Sequence, residues 1–378
     1  MELAGIRLDV DRWQNYCQLI KQNIGQYQDK LQRHFAEWSQ KEGKSINLRS
    51  TQQLKAALAW LGIKVKSTKQ STLETKSDSA VVADLLQYKH WQSQNSKYAD
   101  KILKSVHPET NRIHAEYRQL GTDTGRLSCS NPPLQQIPTQ QQVRSCFVPT
   151  EGNRFVIADY SQIELRVAAQ ISQDQRMIEA YQQGEDLHRL TASLLTETSI
   201  TEVTDEQRQA AKAVNFGLLF AMGAKGLRSY ALNTYGVEMS LERANQFKQC
   251  FFDNYAGFAA FLQNSANRKV KQLRTLSGRI RHFTQGYASL PNALNTPIQG
   301  SAADIIKRAL ADLPAQLIDT GAQIVACIHD EIILEVEEAQ AETAKLILEQ
   351  VMVKAGEHYL TDVPVVVEAA IADSWAGK

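Results

Sequence analysis

The sequence predicts an α+β fold: a helical arm, then a small antiparallel sheet interrupted by a long helical insertion. Three observations carry this. The first hundred residues place apolar side chains at helical spacing. Two short apolar, β-branched runs, residues 155–158 and 324–328, lead to aspartates. Between them, roughly residues 185–275 read as mostly helical.

Taken in order, Trp13, Cys17, Ile20, Ile24, Tyr27, Leu31, Phe35 and Trp38 fall on one helical face, so residues 10–40 predict one long amphipathic helix. Ser50, with Gln53 three residues on, reads as a capping box opening a second helix that ends near Gly62. Lys64, Lys66 and Lys69 mark a polar loop, and a third helix is expected over residues 80–103. Near Pro108 the character changes. The segment TDTGRLSCSNPPLQQIP (122–138) is turn-rich and lacks a helical period. Residues 155–158 form a strand that delivers Asp159 at its end. Residues 324–328, the polar tip His329-Asp330 and residues 331–334 read as a hairpin, and residues 364–367 as a last strand. No internal repeat is evident.

The bulk numbers exclude several classes. No apolar stretch among the 378 residues approaches the ~20 of a membrane span. The opening MELAGIRLDVDRW has no apolar core of a secretory signal. Five scattered cysteines with no CxxC argue for a reducing compartment and against structural zinc; the expected location is the cytoplasm of a bacterial or phage-infected cell, with a processed organellar form as the alternative. Charge is uneven. Residues 1–110 carry 17 Lys+Arg against 11 Asp+Glu, a net +6; the remainder carries 25 against 30, a net −5. A basic arm suits a polyanion, and an acidic remainder suits a carboxylate–metal site.

The sharpest motif is the ladder Arg208, Lys212, Phe216, Phe220 inside RQAAKAVNFGLLFAMGAKGL. At four-residue spacing each step drifts only ~40° around a helix, so all four share one face. Two cations followed by two rings suit a triphosphate with a stacked base. Asp159 and Asp330 are expected where strands stop, beside a cleft. Two such carboxylates repel each other unless cations lie between them, and a pair of Mg²⁺ ions about 3.5–4 Å apart would relieve that. Glu331 reads equally as an outer ligand or a solvated residue.

DYSQIELR (159–166), the ladder helix (208–227) and IHDEIILE (328–335) resemble, in order and spacing, the three polymerase motifs of family A DNA polymerases, the bacterial DNA polymerase I group. TDTGRLSCSNPPLQQIP, DLHRLTA (186–192), TLSGRIR (275–281), NTPIQGSAADIIKRA (295–309) and NLRSTQQLKAALAWLGI (47–63) resemble further segments, so the likeness covers essentially the whole chain. It implies a right hand: helical thumb over 1–108, palm over 109–184 and 276–378, helical fingers over 185–275. It implies Asp159, Asp330 and the backbone carbonyl of Tyr160 as ligands of two Mg²⁺ ions, with Mn²⁺ as substitute. Arg208 and Lys212 would hold the triphosphate, and Lys212 would protonate pyrophosphate. Gln162 and His188 would shape the nucleotide pocket, with Glu164 as a steric gate against a ribose 2′-OH. Phe216 resembles the version that discriminates against dideoxynucleotides. Arg126, Asn295 and Gln299 would contact primer-template DNA, with His329 near the primer terminus. The implied activity is primer extension with dNTPs by a monomer that touches no membrane.

Three departures from the family pattern stand out. Phe220 replaces a common Tyr, which would leave Glu164 short of a partner and relax sugar discrimination. The segment HFTQGYASLPNAL is short, as in divergent phage- or plasmid-type members. The sequence given shows neither a 5′-nuclease region nor a 3′-5′ exonuclease carboxylate set, so it is expected not to proofread. Alternatives are a reverse-transcribing member, a relative of single-subunit RNA polymerases, and an inactive nucleic-acid-binding module. Glu164 argues against ribonucleotide use, and the intact Asp159, Asp330, Arg208 and Lys212 argue against the inactive module.

Overall fold

The computed structural model describes residues 1–378, which divide into two compact units. One comprises Arg7–Ile113 and Ile137–Phe147; the other comprises Met1–Ile6, His114–Gln136 and Val148–Lys378.

The first unit is helical. Asp9 caps α1 (Val10–His34) by accepting a hydrogen bond from the Arg12 amide. The chain leaves helical geometry at Phe35 (φ −101°, ψ 16°) and resumes as α2 (Ala36–Glu42), so the single helix expected over 10–40 is two. Phe35 and Trp38 are both buried, in a core with Leu54, Leu58, Val82 and Leu85, and this burial offsets the interrupted helical ladder. Ser50 caps α3 (Thr51–Trp60), but Gln53 Oε1 accepts from the Asn47 amide rather than from Ser50, so the box is not reciprocal. The third helix runs as α4 (Ala80–Gln94), then a wide π turn (Asn95–Ala99), then α5 (Asp100–Lys104). A π turn perturbs the regular ladder; here the Ala99 carbonyl accepts from the buried Trp13 Nε1 at 3.0 Å.

The second unit is built on a four-stranded antiparallel sheet of order β4–β1–β3–β2, with β1 Asn153–Tyr160, β2 Gln323–Ile328, β3 Glu331–Glu337 and β4 Val367–Ala372. The hairpin forms as its sequence pattern predicts. Asp159 lies within β1 rather than after it, because pairing continues to Tyr160 opposite Val367. The last strand starts at Val367 rather than Pro364: a proline has no amide for the ladder, and the Pro364 and Val366 carbonyls are already used by Arg166 and the Ser161 amide.

Helices α6 (Ile163–Ser172), α7 (Gln175–Gln182), α8 (Leu187–Thr196), α9 (Asp205–Leu219), α10 (Ala224–Tyr235), α11 (Leu241–Asn254) and α12 (Ala256–Asn267) follow β1. Helix α13 (Leu290–Gln316) precedes the hairpin, and α14 (Ala341–Glu357) packs on β1 and β4. The sheet residues Val156, Ile332 and Leu334 share one buried core with Leu187, Val214, Leu227 and Phe251 of the helical insertion. The insertion is thus not a separate compact unit.

Arg166 fastens this unit. It is 6% exposed, its Nε donates to the Ser161 carbonyl at 2.8 Å, and its Nη1 donates to the Pro364 carbonyl at 2.6 Å. Its guanidinium also lies 4.2 Å from the Tyr181 ring centroid. Arg166→Ala leaves two carbonyls unpaired and is expected to cost about 3 kcal/mol. Denaturant unfolding measures this, and a loss below about 1 kcal/mol would mean that water replaces the guanidinium.

Candidate active site

The sheet register assembles the acidic part. Asp159 faces Glu331 across β1 and β3, and Asp330 stands one residue beyond, in the hairpin turn. His329, in the same turn, takes a left-handed conformation (φ +59°). Both aspartates therefore reach the same end of the sheet. Tyr160 sends its side chain into the core, where its hydroxyl donates to the Met352 carbonyl at 2.7 Å. Glu331 is buried, and its Oε1 accepts from Trp375 Nε1 at 2.7 Å, so it is not a solvated residue. Burial first, and the Asp159 charge second, push the Asp330 carboxyl up to about 7. Lys378 Nζ stands 3.6 Å from Asp159 Oδ2.

Glu164, in the first turn of α6, accepts a hydrogen bond from Arg126 Nη2. Glu164 is therefore not bare beside Phe220: its carboxylate takes a guanidinium from the loop before residue 128. Burial still raises the Glu164 carboxyl, against the lowering pull of Arg126. Arg126, Glu164, His329 and Asp330 line one small pocket with Ala302, Ala303 and Ile306 of α13. Asn295 and Gln299 lie one helical turn apart on the same α13, and both are half-exposed. The Asn295 Oδ1 atom is buried without a partner.

The basic part lies on α9. Thr204 and Gln207 form a reciprocal capping box that starts the helix. Arg208, Lys212 and Phe216 are half-buried, while Ala211, Ala213, Val214 and Asn215 are fully buried, so one face stays accessible. Phe220 is the C-cap residue (φ −111°) and not a fourth helical rung, because the helix ends at Leu219. Lys212 Nζ lies 5.9 Å from the Tyr235 ring centroid.

Asp186 links the parts, and the motif reading missed it. As N-cap of α8, its Oδ1 accepts from the His188 and Arg189 amides and from Gln162 Nε2, at 2.8, 3.2 and 3.3 Å. Its Oδ2 accepts from Arg208 Nε and Nη2 at 2.8 and 2.6 Å. Burial works to raise the Asp186 carboxyl, but the Arg208 hydrogen bonds and charge outweigh it and hold it below the usual range. Gln162, itself left-handed (φ +56°), also accepts from the Tyr181 hydroxyl at 3.1 Å. His188 is 2% exposed and its ring lies 5.6 Å from that of Phe216. An Asp at the head of DLHRLTA is a recognisable N-cap; nothing local in the sequence announces its Arg208 partner.

Arg279 and Arg281, also missed, fix the loop that carries Arg126. Arg279 donates to Asp304 Oδ1, to the Thr124 carbonyl and to the Gly300 carbonyl. Arg281 donates to Thr296 Oγ1 and Asp123 Oδ2. Gly125 is required there: it has φ +84°, and a Cβ would lie 2.4 Å from Arg279 Cζ.

A family model for DNA polymerase family A matches residues 15–377. The chain belongs to this family. It is 40% identical over 285 residues to DNA polymerase I of Aquifex aeolicus, covering 74% of this chain and 49% of that protein. It is 32% identical over 411 residues to DNA polymerase I of Bacillus subtilis, covering 99% of this chain and 44% of that protein. The chain thus spans about half the length of the curated relatives it matches. A solved structure, the POL domain of Pol1 from M. smegmatis in complex with DNA primer-template and dNTP, matches with TM-score 0.88 and 31% identity, covering 100% of this chain and 68% of that one. No helix is long and apolar enough to cross a membrane.

One pH response follows from this geometry. Burial pushes the His188 imidazole down to about 4 from 6.5, Asp186 pulling it up and the Arg208 and Lys212 charges pushing it further down. A depressed folded value means His188 contributes stability above pH 6.5 that is lost as pH falls through about 4. The melting-temperature advantage of the native protein over His188→Gln should therefore shrink across that window. An advantage that stays flat would mean that the ring is not held neutral.

Proposed function

We propose that this chain is a DNA-directed DNA polymerase that extends a primer 3′-OH with dNTPs. The observation that carries the reading is the register of β1 against β3, which brings Asp159 and Asp330 to one end of the sheet. Family membership supports it, as does the likeness to a solved structure described with primer-template and dNTP. On this reading the helical arm (1–108) is the thumb, residues 109–184 and 276–378 the palm, and residues 185–275 the fingers.

The donor set suits a hard, oxygen-preferring cation. Burial first, and the Asp159 charge second, push the Asp330 carboxyl up to about 7, and divalent charge would relieve the second of these. No group of three or more His, Cys, Asp or Glu surrounds a common point. Remaining positions would fall to the Tyr160 carbonyl, water and substrate phosphate, which is how Mg²⁺ is commonly held. When bound by Asp159, Asp330 and the Tyr160 carbonyl, two such ions would lower the pKa of the attacking hydroxyl and stabilise the leaving pyrophosphate.

The protein's own groups do the rest. Arg208 exchanges Asp186 for the triphosphate, an anion-for-anion swap with little net desolvation. Lys212 lies one turn further along the same face and donates a proton to the departing pyrophosphate. Gln162 and His188 wall the nucleotide pocket, and Phe216 offers a ring but no hydroxyl to a sugar lacking its 3′-OH. Glu164, held by Arg126, fills the space a 2′-OH would need. Asn295, Gln299 and Arg126 contact the primer-template, and His329 lies near the primer terminus.

Primer extension on a DNA template with dNTPs and Mg²⁺ tests this. Asp159→Asn and Asp330→Asn are each expected to lower kcat by about 10³-fold or more, and chelation to abolish extension. Extension that persists in Asp330→Asn would mean the ligands are misassigned. Salt-sensitive binding to primer-template without extension, with either Mg²⁺ or Mn²⁺, would favour a binding module. Glu164→Ala should raise the rNTP:dNTP incorporation ratio at least about tenfold. Phe220→Tyr should leave that ratio within about twofold, because Arg126 already partners Glu164. A large improvement in Phe220→Tyr would restore the view that the missing phenol relaxes discrimination.

A further inference from the structure

Asn215 lies on α9 directly before Phe216 and is completely buried. Its Nδ2 stands 2.9 Å from His188 Nδ1, and its Oδ1 has no partner at all. The carboxamide nitrogen can only donate, so Nδ1 must be the acceptor and the imidazole proton must sit on Nε2. The flipped amide would pair Oδ1 with an Nδ1 proton but would bury an NH₂ group with nothing to receive it. A carbonyl short of partners is tolerated more readily than an orphaned donor. A cationic ring would set an Nδ1 proton against the amide protons, beside the charges of Arg208 and Lys212 and opposed only by Asp186. The ring makes no other hydrogen bond within the protein.

We propose that Asn215 is a positioning residue that holds His188 as the neutral Nε2–H tautomer, so that the ring offers a hydrogen-bond donor to the nucleotide's phosphate chain beside Arg208 and Lys212. The phosphate half of this assignment rests on the polymerase reading; the tautomer half rests on the 2.9 Å contact and the burial alone. A neutral donor adds a directed hydrogen bond next to two cations without adding a third charge, which would repel them whenever the nucleotide is absent. Asn215 touches no reacting group on this assignment; it acts through His188.

The test is ¹⁵N spectroscopy of histidine-labelled full-length protein at neutral pH, with the His188 signals assigned by His188→Gln. The native protein is expected to show an unprotonated Nδ1 and a protonated Nε2. In Asn215→Asp the carboxylate can only accept, so the proton should move to Nδ1. A native ring protonated on Nδ1, or unchanged nitrogen signals in Asn215→Asp, would overturn the proposal. In primer extension, Asn215→Asp should raise the dNTP KM about tenfold with primer-template affinity unchanged. A moved proton with unaltered KM would overturn the phosphate role. Asn215→Ala, which imposes neither tautomer, serves as the second variant should the buried carboxylate impair folding, and its KM should lie between those of the other two. The spectra require no turnover, so failure of the polymerase reading, seen as no extension by the native protein, is distinguishable from failure of the tautomer assignment.

Discussion

The chemistry of this molecule depends on the pairing of β1 with β3. Seven register pairs, from Asn153 opposite Glu337 to Asp159 opposite Glu331, fix the two strands. Strand side chains alternate between faces, and a slip of one residue would part Asp159 from the turn that carries Asp330. Val156, Ile157, Ile332, Ile333 and Leu334 are all fully buried, so the middle of the sheet is covered on both faces. The same alternation separates Asp330 from Glu331. Asp330 meets Asp159, while Glu331 takes the Trp375 indole and is not a solvated residue. Apolar burial in the sheet thus offsets the repulsion between two carboxylates that would separate if free.

Three cations around the site are engaged within the protein. Arg208 holds Asp186, Arg126 holds Glu164, and Lys378 stands against Asp159. A guanidinium stripped of water and left bare would be costly, so each is paired within the protein. These pairs differ in kind from those of Arg279 and Arg281, which also tie backbone carbonyl or hydroxyl groups of several segments and cannot leave without loosening the loop at Gly125. Arg208 holds a single carboxylate, which a polyanion can replace. On the proposed function, Arg208 meets a phosphate chain by partner exchange, while Lys212 on the same helix is tied to no carboxylate.

What could be read from the sequence was whatever is written locally. The hairpin around His329-Asp330, the helix carrying Arg208 and Lys212, and the Ser50 cap each depend on a few neighbouring residues, and each is present. Boundaries set by distant partners could not be read. Asp159 lies inside its strand because Tyr160 finds Val367, and residues 364–366 stay outside the ladder because their carbonyls serve Arg166 and Ser161. Phe220 falls off the helix because α9 ends one residue earlier than a four-step ladder requires. Asp186 and Asn215 were missed for the same reason: their significance lies in Arg208 and His188, more than twenty residues away. Glu164 shows the same limit, since its guanidinium partner comes from thirty-eight residues upstream.

Asp186 shows how such an exchange can occur without unravelling the fold. Its two oxygens divide the work. Oδ1 caps α8 through the His188 and Arg189 amides and receives Gln162, while Oδ2 receives only Arg208. A helix that loses its N-cap loses about 1 kcal/mol and frays at its first turn. Here that first turn carries His188. Were Arg208 held on the capping oxygen, its departure to a phosphate on the proposed function would disturb the cap and displace the imidazole. With the contacts split, Arg208 can leave while His188 keeps its place, and the Asp186 side chain is partly exposed rather than buried in the core. The arrangement couples cation and imidazole through one residue while letting one move and the other stay.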